Sequence, residues 1–195
     1  MPIFRSIDPV GFPCGTTEKY YFPMSCNAFS SVGTIPTTNV VNFLPYYIKK
    51  NIQNPTFCIE KVSDPSSLSA DTIKVGIYDG SSGLYGANLL SSGQITPTVG
   101  GSGAALGIFT TQLTINLRRG FYIVAGVRTA GAASYFRVAN SSGPMRENFG
   151  VDTTVTSFVN NNYYTQTGQS SLPQTIGTIT LSATAGEGPS VFLKY

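Results

Sequence analysis

The segment Phe121-Tyr122-Ile123-Val124-Ala125-Gly126-Val127-Arg128 is the stretch of this chain that most clearly indicates its fold. Its aromatic and β-branched residues favour a strand, and both alternating faces are apolar over most of its length. A strand that is apolar on both faces is typically covered on both sides. The segment therefore predicts a central strand with packed layers above and below it.

A two-residue period recurs elsewhere. Residues 72–78 place Ile73, Val75 and Ile77 on one face, and residues 112–117 do the same with Leu113, Ile115 and Leu117. No window repeats apolar residues at helical spacing for more than one turn. We expect further strands over 17–24, 40–50, 56–62, 135–139, 153–159, 175–182 and 190–195.

Glycine, serine and proline clusters divide these segments, often about ten residues apart. They predict turns at 79–83, 91–93, 119–120, 141–144 and 185–189, with longer loops at 97–107 and 159–172. Many short strands at this spacing indicate a sandwich, jelly roll or barrel. The sequence thus predicts an all-β, antiparallel, jelly-roll-like β-sandwich, with an extended N-terminal arm at residues 1–15 and a single domain at residues 16–195.

Composition excludes several classes of function. The 195 residues include 12 Lys and Arg, 9 Asp and Glu and no His, a net charge of +3, and the only adjacent basic pairs are Lys49-Lys50 and Arg118-Arg119. Nucleic acid is therefore not an expected partner. A Ser-His-Asp triad cannot form without histidine, and the spacing of Cys14, Cys26 and Cys58 matches no zinc motif, so we expect neither a metal nor another cofactor.

We expect these cysteines to be free, buried thiols. The N-terminus lacks a secretory signal pattern, which favours a protein made in a reducing cytosol. No apolar run approaches the roughly 18 residues of a spanning helix, so a membrane is not an expected partner.

Three blocks between residues 73 and 128 form a recognisable series. They are Ile73-Lys74-Val75-Gly76-Ile77-Tyr78-Asp79, the stretch Gly83-Leu84-Tyr85-Gly86-Ala87-Asn88-Leu89-Leu90 with Ser92-Gly93-Gln94-Ile95, and Leu113-Thr114-Ile115-Asn116-Leu117 with Gly120-Phe121-Tyr122-Ile123-Val124-Ala125. The series resembles a β domain of tailed-bacteriophage virion proteins, found in capsid decoration or cement proteins and in tail-fibre tips. The resemblance covers about residues 20–140, including aromatic segments at 20–24 and 44–48.

This resemblance implies a non-enzymatic structural protein of the virion, made in the bacterial host cytoplasm and assembled as a homotrimer. The domain begins close to the N-terminus, without heptad repeats for a shaft, which favours a decoration or cement protein bound to the major capsid protein on the head exterior. The alternative is a tail-fibre or receptor-binding tip that recognises host surface glycan. A bacterial lectin or sandwich hydrolase is a third class.

The N-terminal arm is the candidate capsid contact. Its three prolines disfavour a helix or a central strand, and its apolar residues need cover. The candidate contact residues are Ile3, Phe4, Arg5, Ile7, Val10 and Phe12. The alternative is that the arm packs across its own sandwich.

A glycan-binding tip would use the polar loop at 159–172. Aromatic rings stack on sugars while amides bind hydroxyl groups, and the candidates for this role are Asn161, Asn162, Tyr163, Tyr164 and Gln166. The alternative is that one tyrosine packs in the core or at a subunit interface and the other lies on the surface.

The charged residues leave two further alternatives. Lys49-Lys50 and Arg118-Arg119 could pair with an acidic capsid surface or anionic cell-wall polymers, or they could be solvated charges at a strand end and a turn. The nine acidic residues are scattered, and no spacing singles out the carboxylate pair of a glycosidase. We therefore expect no catalytic residues.

Overall fold

The computed structural model describes residues 20–21, 28–29, 37–63, 70–97, 107–131, 135–136, 139–140, 164–177, 180–181 and 191–194. Within these ranges every regular element is a β-strand and every ladder is antiparallel, so the predicted antiparallel β-sandwich is confirmed. The jelly-roll connectivity stays a prediction.

The strands are named in chain order. They are β1 (Tyr20–Tyr21), β2 (Ala28–Phe29), β3 (Val41–Ile48), β4 (Ile52–Gln53), β5 (Thr56–Ser63), β6 (Thr72–Asp79), β7 (Leu89–Ile95), β8 (Gly107–Gln112), β9 (Asn116–Leu117), β10 (Gly120–Ala130), β11 (Tyr135–Phe136), β12 (Ala139–Asn140), β13 (Tyr164–Gln166), β14 (Thr180–Leu181) and β15 (Phe192–Lys194).

The predicted central strand is β10. It lies inside a six-stranded sheet of order β14-β13-β3-β10-β6-β7, with β3 on one side and β6 on the other. In the second sheet β15 lies between β1 and β5, and β5 also pairs with β8 and β11. Two short ladders, β2 with β12 and β4 with β9, complete the described pairing.

The first hydrophobic core fills the space between the two sheets. Alternate residues of β6 point into it, with Ile73, Val75 and Ile77 fully buried as their two-residue period predicts. The second sheet contributes Phe57 and Ile59 from β5. Burial of each such side chain stabilises the fold by about 1.5–3 kcal/mol.

A second core covers the opposite, outer face of the six-stranded sheet. Phe43, Tyr78 and Ile123 lie here, beneath a turn that contributes Leu84 and a segment that contributes Leu172. We call residues 167–177 the crossing segment, because it runs from β13 to the start of β7. Backbone hydrogen bonds attach it there, with Leu89 N donating to Gln174 O at 2.8 Å and Ile176 N donating to Ala87 O at 2.9 Å.

The strand predicted at 112–117 is divided in two. Leu113 N donates to Pro55 O at 3.0 Å and Asn54 N donates to Ile115 O at 2.8 Å, so the chain leaves β8 to pair with the segment around β4. Leu113 and Leu117 are nonetheless buried in the first core, and Ile115 packs against it. The predicted inward face is therefore correct although the strand is interrupted.

The turn predicted at 91–93 is wrong, because these residues lie within β7. Gly93 has a packing role there, since a Cβ at this position would lie 2.9 Å from Thr111 Cγ2. Part of the loop predicted at 159–172 is also strand, namely β13, which pairs with both β3 and β14. Short polar strands of this kind lack the alternating apolar pattern on which sequence-based prediction depends.

The turn predicted at 79–83 is confirmed. Asp79 Oδ1 accepts a hydrogen bond of 2.9 Å from Ser81 N, and Gly83 has a positive φ of 99°. Strands within the other predicted ranges are β1, β3, β14 and β15, while β5 extends one residue beyond its predicted end at 62. The range predicted at 135–139 holds β11 and the first residue of β12, which pair with β5 and β2 respectively. The strand predicted at 153–159 and the turns predicted at 141–144 and 185–189 lie outside the described residues.

Candidate functional site

Most of the predicted site residues lie outside the described part of the chain. These are the six arm residues Ile3, Phe4, Arg5, Ile7, Val10 and Phe12, and the loop residues Asn161, Asn162 and Tyr163. Their proposed contacts with capsid and glycan stay predictions.

Tyr164 and Gln166 are described, in β13. Tyr164 is only 7% exposed and belongs to the second core, opposite Phe43 of β3. A ring buried in this way does not offer its face to a sugar, so for Tyr164 the structure corrects the glycan-contact prediction in favour of core packing. Gln166 is half-buried, and its Oε1 has no hydrogen-bond partner among the described residues.

The two basic pairs, which are distant in sequence, lie at the same end of the sheet. Gly120 of β10 is opposite Ile48 of β3, so the turn that precedes β10 and the turn that follows β3 are neighbours. Arg119 N donates to Asn51 Oδ1 at 2.9 Å and joins these turns. Lys49, Lys50, Arg118 and Arg119 are all exposed. Four cationic side chains therefore flank one end of the central strand pair.

An aromatic pair lies beside them on the outer face of the sheet. Tyr47 and Phe121 are opposite each other on β3 and β10, with ring centroids 4.8 Å apart and ring planes inclined by 53°. Phe121 is 54% exposed, so its apolar ring is accessible to a binding partner. Arg119 Nε donates to Tyr47 Oη at 2.9 Å, with its guanidinium carbon 6.0 Å from the ring centroid.

We call Tyr47, Lys49, Lys50, Arg118, Arg119 and Phe121 the basic–aromatic surface. Contacts from Tyr122 and Gly80 fix the backbone of this surface. Tyr122 Oη accepts from Arg118 N at 3.1 Å and donates to Arg118 O at 3.0 Å, while Gly80 packs so closely that a Cβ would lie 3.0 Å from the Phe121 carbonyl. The paired strands β3 and β10 thus position Tyr47 and Phe121, and the turns next to these strands carry the four cations.

This composition has a definite binding chemistry. Arginine, tyrosine and phenylalanine are enriched in protein interfaces, where aromatic rings act as apolar anchors and arginine binds carboxylates. The lysines add positive charge that attracts an acidic partner over a distance of about one Debye length. The arrangement therefore fits an acidic protein surface that also has an apolar recess.

Other ionisable groups lie inside the fold. Arg128 and Asp71 form a buried ion pair, with Arg128 Nη1 at 3.4 Å from Asp71 Oδ1. Cys58 is a buried free thiol, and burial raises its pKa to about 11. Burial also raises the pKa of the Tyr78 hydroxyl, which donates to Pro173 O at 2.8 Å. These groups are part of the packing and do not face the basic–aromatic surface.

The two basic pairs are far apart in the sequence, and no sequence pattern indicates that Tyr47 and Phe121 lie side by side. Phe121 belongs to a strand in which Ile123, Val124, Ala125 and Val127 are buried, so its exposure has no sequence signal. The strand bounds carry the one signal that the two basic pairs could be neighbours. β3 ends just before Lys49-Lys50, and β10 begins just after Arg118-Arg119.

Within the described residues, no helix is long and apolar enough to cross a bilayer. A search of those residues also finds no group of three or more Cys, Asp and Glu side chains placed to hold a metal ion. In comparisons with known proteins, no protein-family model matches this chain, and no curated protein matches it in sequence.

Proposed function

We propose that this chain is a non-enzymatic structural protein of a tailed-phage virion that attaches to an acidic protein surface on the outside of the head, as a decoration or cement protein. The observation that carries the proposal is the basic–aromatic surface, where four exposed cations lie at one end of a sheet beside the aromatic pair of half-buried Tyr47 and exposed Phe121. The resemblance over residues 20–140 supplies the virion context.

Charge and apolar contact would make separate contributions to this attachment. The cations would increase the rate of encounter with an acidic surface, and this contribution would weaken as salt rises. Phe121 and Tyr47 would provide the close contact that slows dissociation, with Arg119 already oriented by its hydrogen bond to Tyr47. A rigid strand pair adds little ordering cost on binding.

Self-association would strengthen the attachment. A homotrimer presents three copies of the surface, and simultaneous binding raises the apparent affinity well above that of one copy. The N-terminal arm, our sequence-based candidate for the capsid contact, would add to this attachment.

The first test locates the protein on the virion. An antibody against the purified chain, detected with gold in electron micrographs of intact particles, should label the head. Label confined to the tail would overturn the head assignment and favour the receptor-binding alternative.

The second test removes the surface without disturbing the fold. We expect the double variant Arg119→Ala, Phe121→Ala to lose at least about tenfold in affinity for isolated heads lacking the protein, in a co-sedimentation titration. Tyr85→Ala is the matched control, because Tyr85 is 59% exposed on a turn outside this surface. Equal binding by the double variant and the control would show that the basic–aromatic surface does not make the contact.

A further inference from the structure

A groove of about 420 Å³ lies on the outer side of the six-stranded sheet, away from the basic–aromatic surface. Strands β6 and β7 form one wall and the crossing segment forms the other. The described lining residues are Lys74, Leu89, Ser92, Gly93, Gln94, Ser171, Leu172 and Gln174. Its volume lies in the range of about 300–1,000 Å³ that is usual for small-molecule sites.

The groove is held open by specific contacts. Leu172 of the crossing segment packs directly over Gly76 of β6, where a Cβ would lie only 2.5 Å from Leu172 Cδ1. Tyr78 Oη donates to Pro173 O, and Leu89 N donates to Gln174 O. Lys74 Nζ donates to Ser170 O at 3.3 Å, which links the two walls directly. These bonds fix the distance between the walls.

The lining has the chemistry of a site for a polyhydroxylated ligand. Ser92 and Ser171 carry hydroxyl groups, and Gln94 and Gln174 carry amides that can both donate and accept hydrogen bonds. These four residues are exposed. Leu89, which is half-buried, provides an apolar contact for the C–H face of a ring.

Lys74 adds a preference for negative charge. Among the described lining residues it is the one that carries a charge. Its ammonium group has three donors, and the hydrogen bond to Ser170 O uses one of them. A half-buried ammonium with donors to spare favours a carboxylate over a neutral group.

We propose that this groove binds an acidic sugar, a pyranose whose carboxylate pairs with Lys74 and whose hydroxyl groups bind the serine and glutamine side chains. The site is independent of the head-attachment surface. Lys74 lies opposite Val127 on β10, six residues from Phe121, which is about 20 Å along the strand. Each site can therefore be lost without the other.

The test is a ligand-observed NMR titration with two probes, methyl β-glucuronide and methyl β-glucoside. We expect both to bind, with the glucuronide at least about fivefold tighter. In the Lys74→Gln variant, the affinity for the glucuronide should fall to that for the glucoside. Lys49→Gln removes an exposed charge elsewhere, so this variant should keep the preference for the glucuronide. Gln94→Ala should weaken both probes equally, and it keeps the test valid if the lysine variant does not fold.

Three results would overturn the proposal. They are no binding of either probe to the wild-type protein, a glucuronide preference that persists in Lys74→Gln, and equal loss in the Lys74 and Lys49 variants. Inorganic phosphate provides a further discrimination. If phosphate displaces the glucuronide at equal concentration, the site binds anions without recognising the sugar, and the proposal fails. Head binding by Lys74→Gln and Gln94→Ala should be unchanged.

Discussion

An arginine lies near each end of β10, and the two arginines have opposite environments. At the C-terminal end the Arg128 side chain is buried, only 8% exposed, and it is bonded to Asp71, to Thr38 Oγ1 at 2.6 Å and to Gly131 O at 3.4 Å. At the N-terminal end Arg119 is exposed and bonds Tyr47. The layers that surround each arginine, and not the residue type, therefore decide whether its charge is buried in an ion pair or exposed to solvent.

The buried end should be the more sensitive to mutation. We expect Arg128→Ala to lower the free energy of unfolding by about 3–5 kcal/mol, because it leaves the Asp71 carboxylate in the interior without its cation. Urea denaturation followed by circular dichroism measures this value. A loss below about 1 kcal/mol would show that Arg128 does not support the fold, and the contrast between the two ends would disappear.

A substitution at Gly131 tests the backbone conformation at the buried, C-terminal end of β10. Its φ of 121° is unfavourable for other residues, and a Cβ would lie 2.3 Å from the Cα of Asp71. We expect Gly131→Ala to cost about 2–3 kcal/mol in unfolding free energy. The matched control is Gly83→Ala, with a φ of 99° but open space around the added Cβ, which should cost about 1 kcal/mol. Equal losses would mean that the approach to Asp71 carries no cost of its own.

The exposed end should tolerate the corresponding change. We expect Arg119→Ala to lower the unfolding free energy by at most about 1 kcal/mol, since exposed charge contacts contribute little. Thermal denaturation beside Arg128→Ala gives the comparison directly. A loss as large as that of Arg128→Ala would identify Arg119 as a structural residue, and its effect on head binding could then not be assigned to lost contact.

The smallest effect concerns Asp79, which lies opposite Tyr122 near the exposed end. Hydrogen bonds from the Ser81 side chain and backbone lower the pKa of the Asp79 carboxyl. A depressed pKa in the folded state contributes stability above the unfolded pKa, and this contribution is lost as pH falls through the folded value. We expect a slightly shallower loss of stability below about pH 4 in Asp79→Asn than in the wild-type protein. Identical acid titrations of unfolding would contradict this.

The strands that could be predicted from sequence are those with strong apolar periodicity. β6 and β10 follow directly from their residues, because alternating burial needs only the two-residue period of a strand. β7 could not be predicted in this way, since Ser91-Ser92-Gly93 has turn composition and becomes a strand through pairing with β6. β13 likewise becomes a strand through its pairing with β3.

The candidate sites show the same division. The amino-acid sequence by itself determined the all-β class, the central strand and the inward faces at 73–77 and 113–117, because period and turn chemistry are local properties. Only the tertiary structure decided that Lys49-Lys50 and Arg118-Arg119 share one end, that Tyr164 is buried while Phe121 is exposed, and that Lys74 faces the crossing segment. These facts depend on the register between strands far apart in the chain, and a shift of one residue would send each side chain to the opposite face.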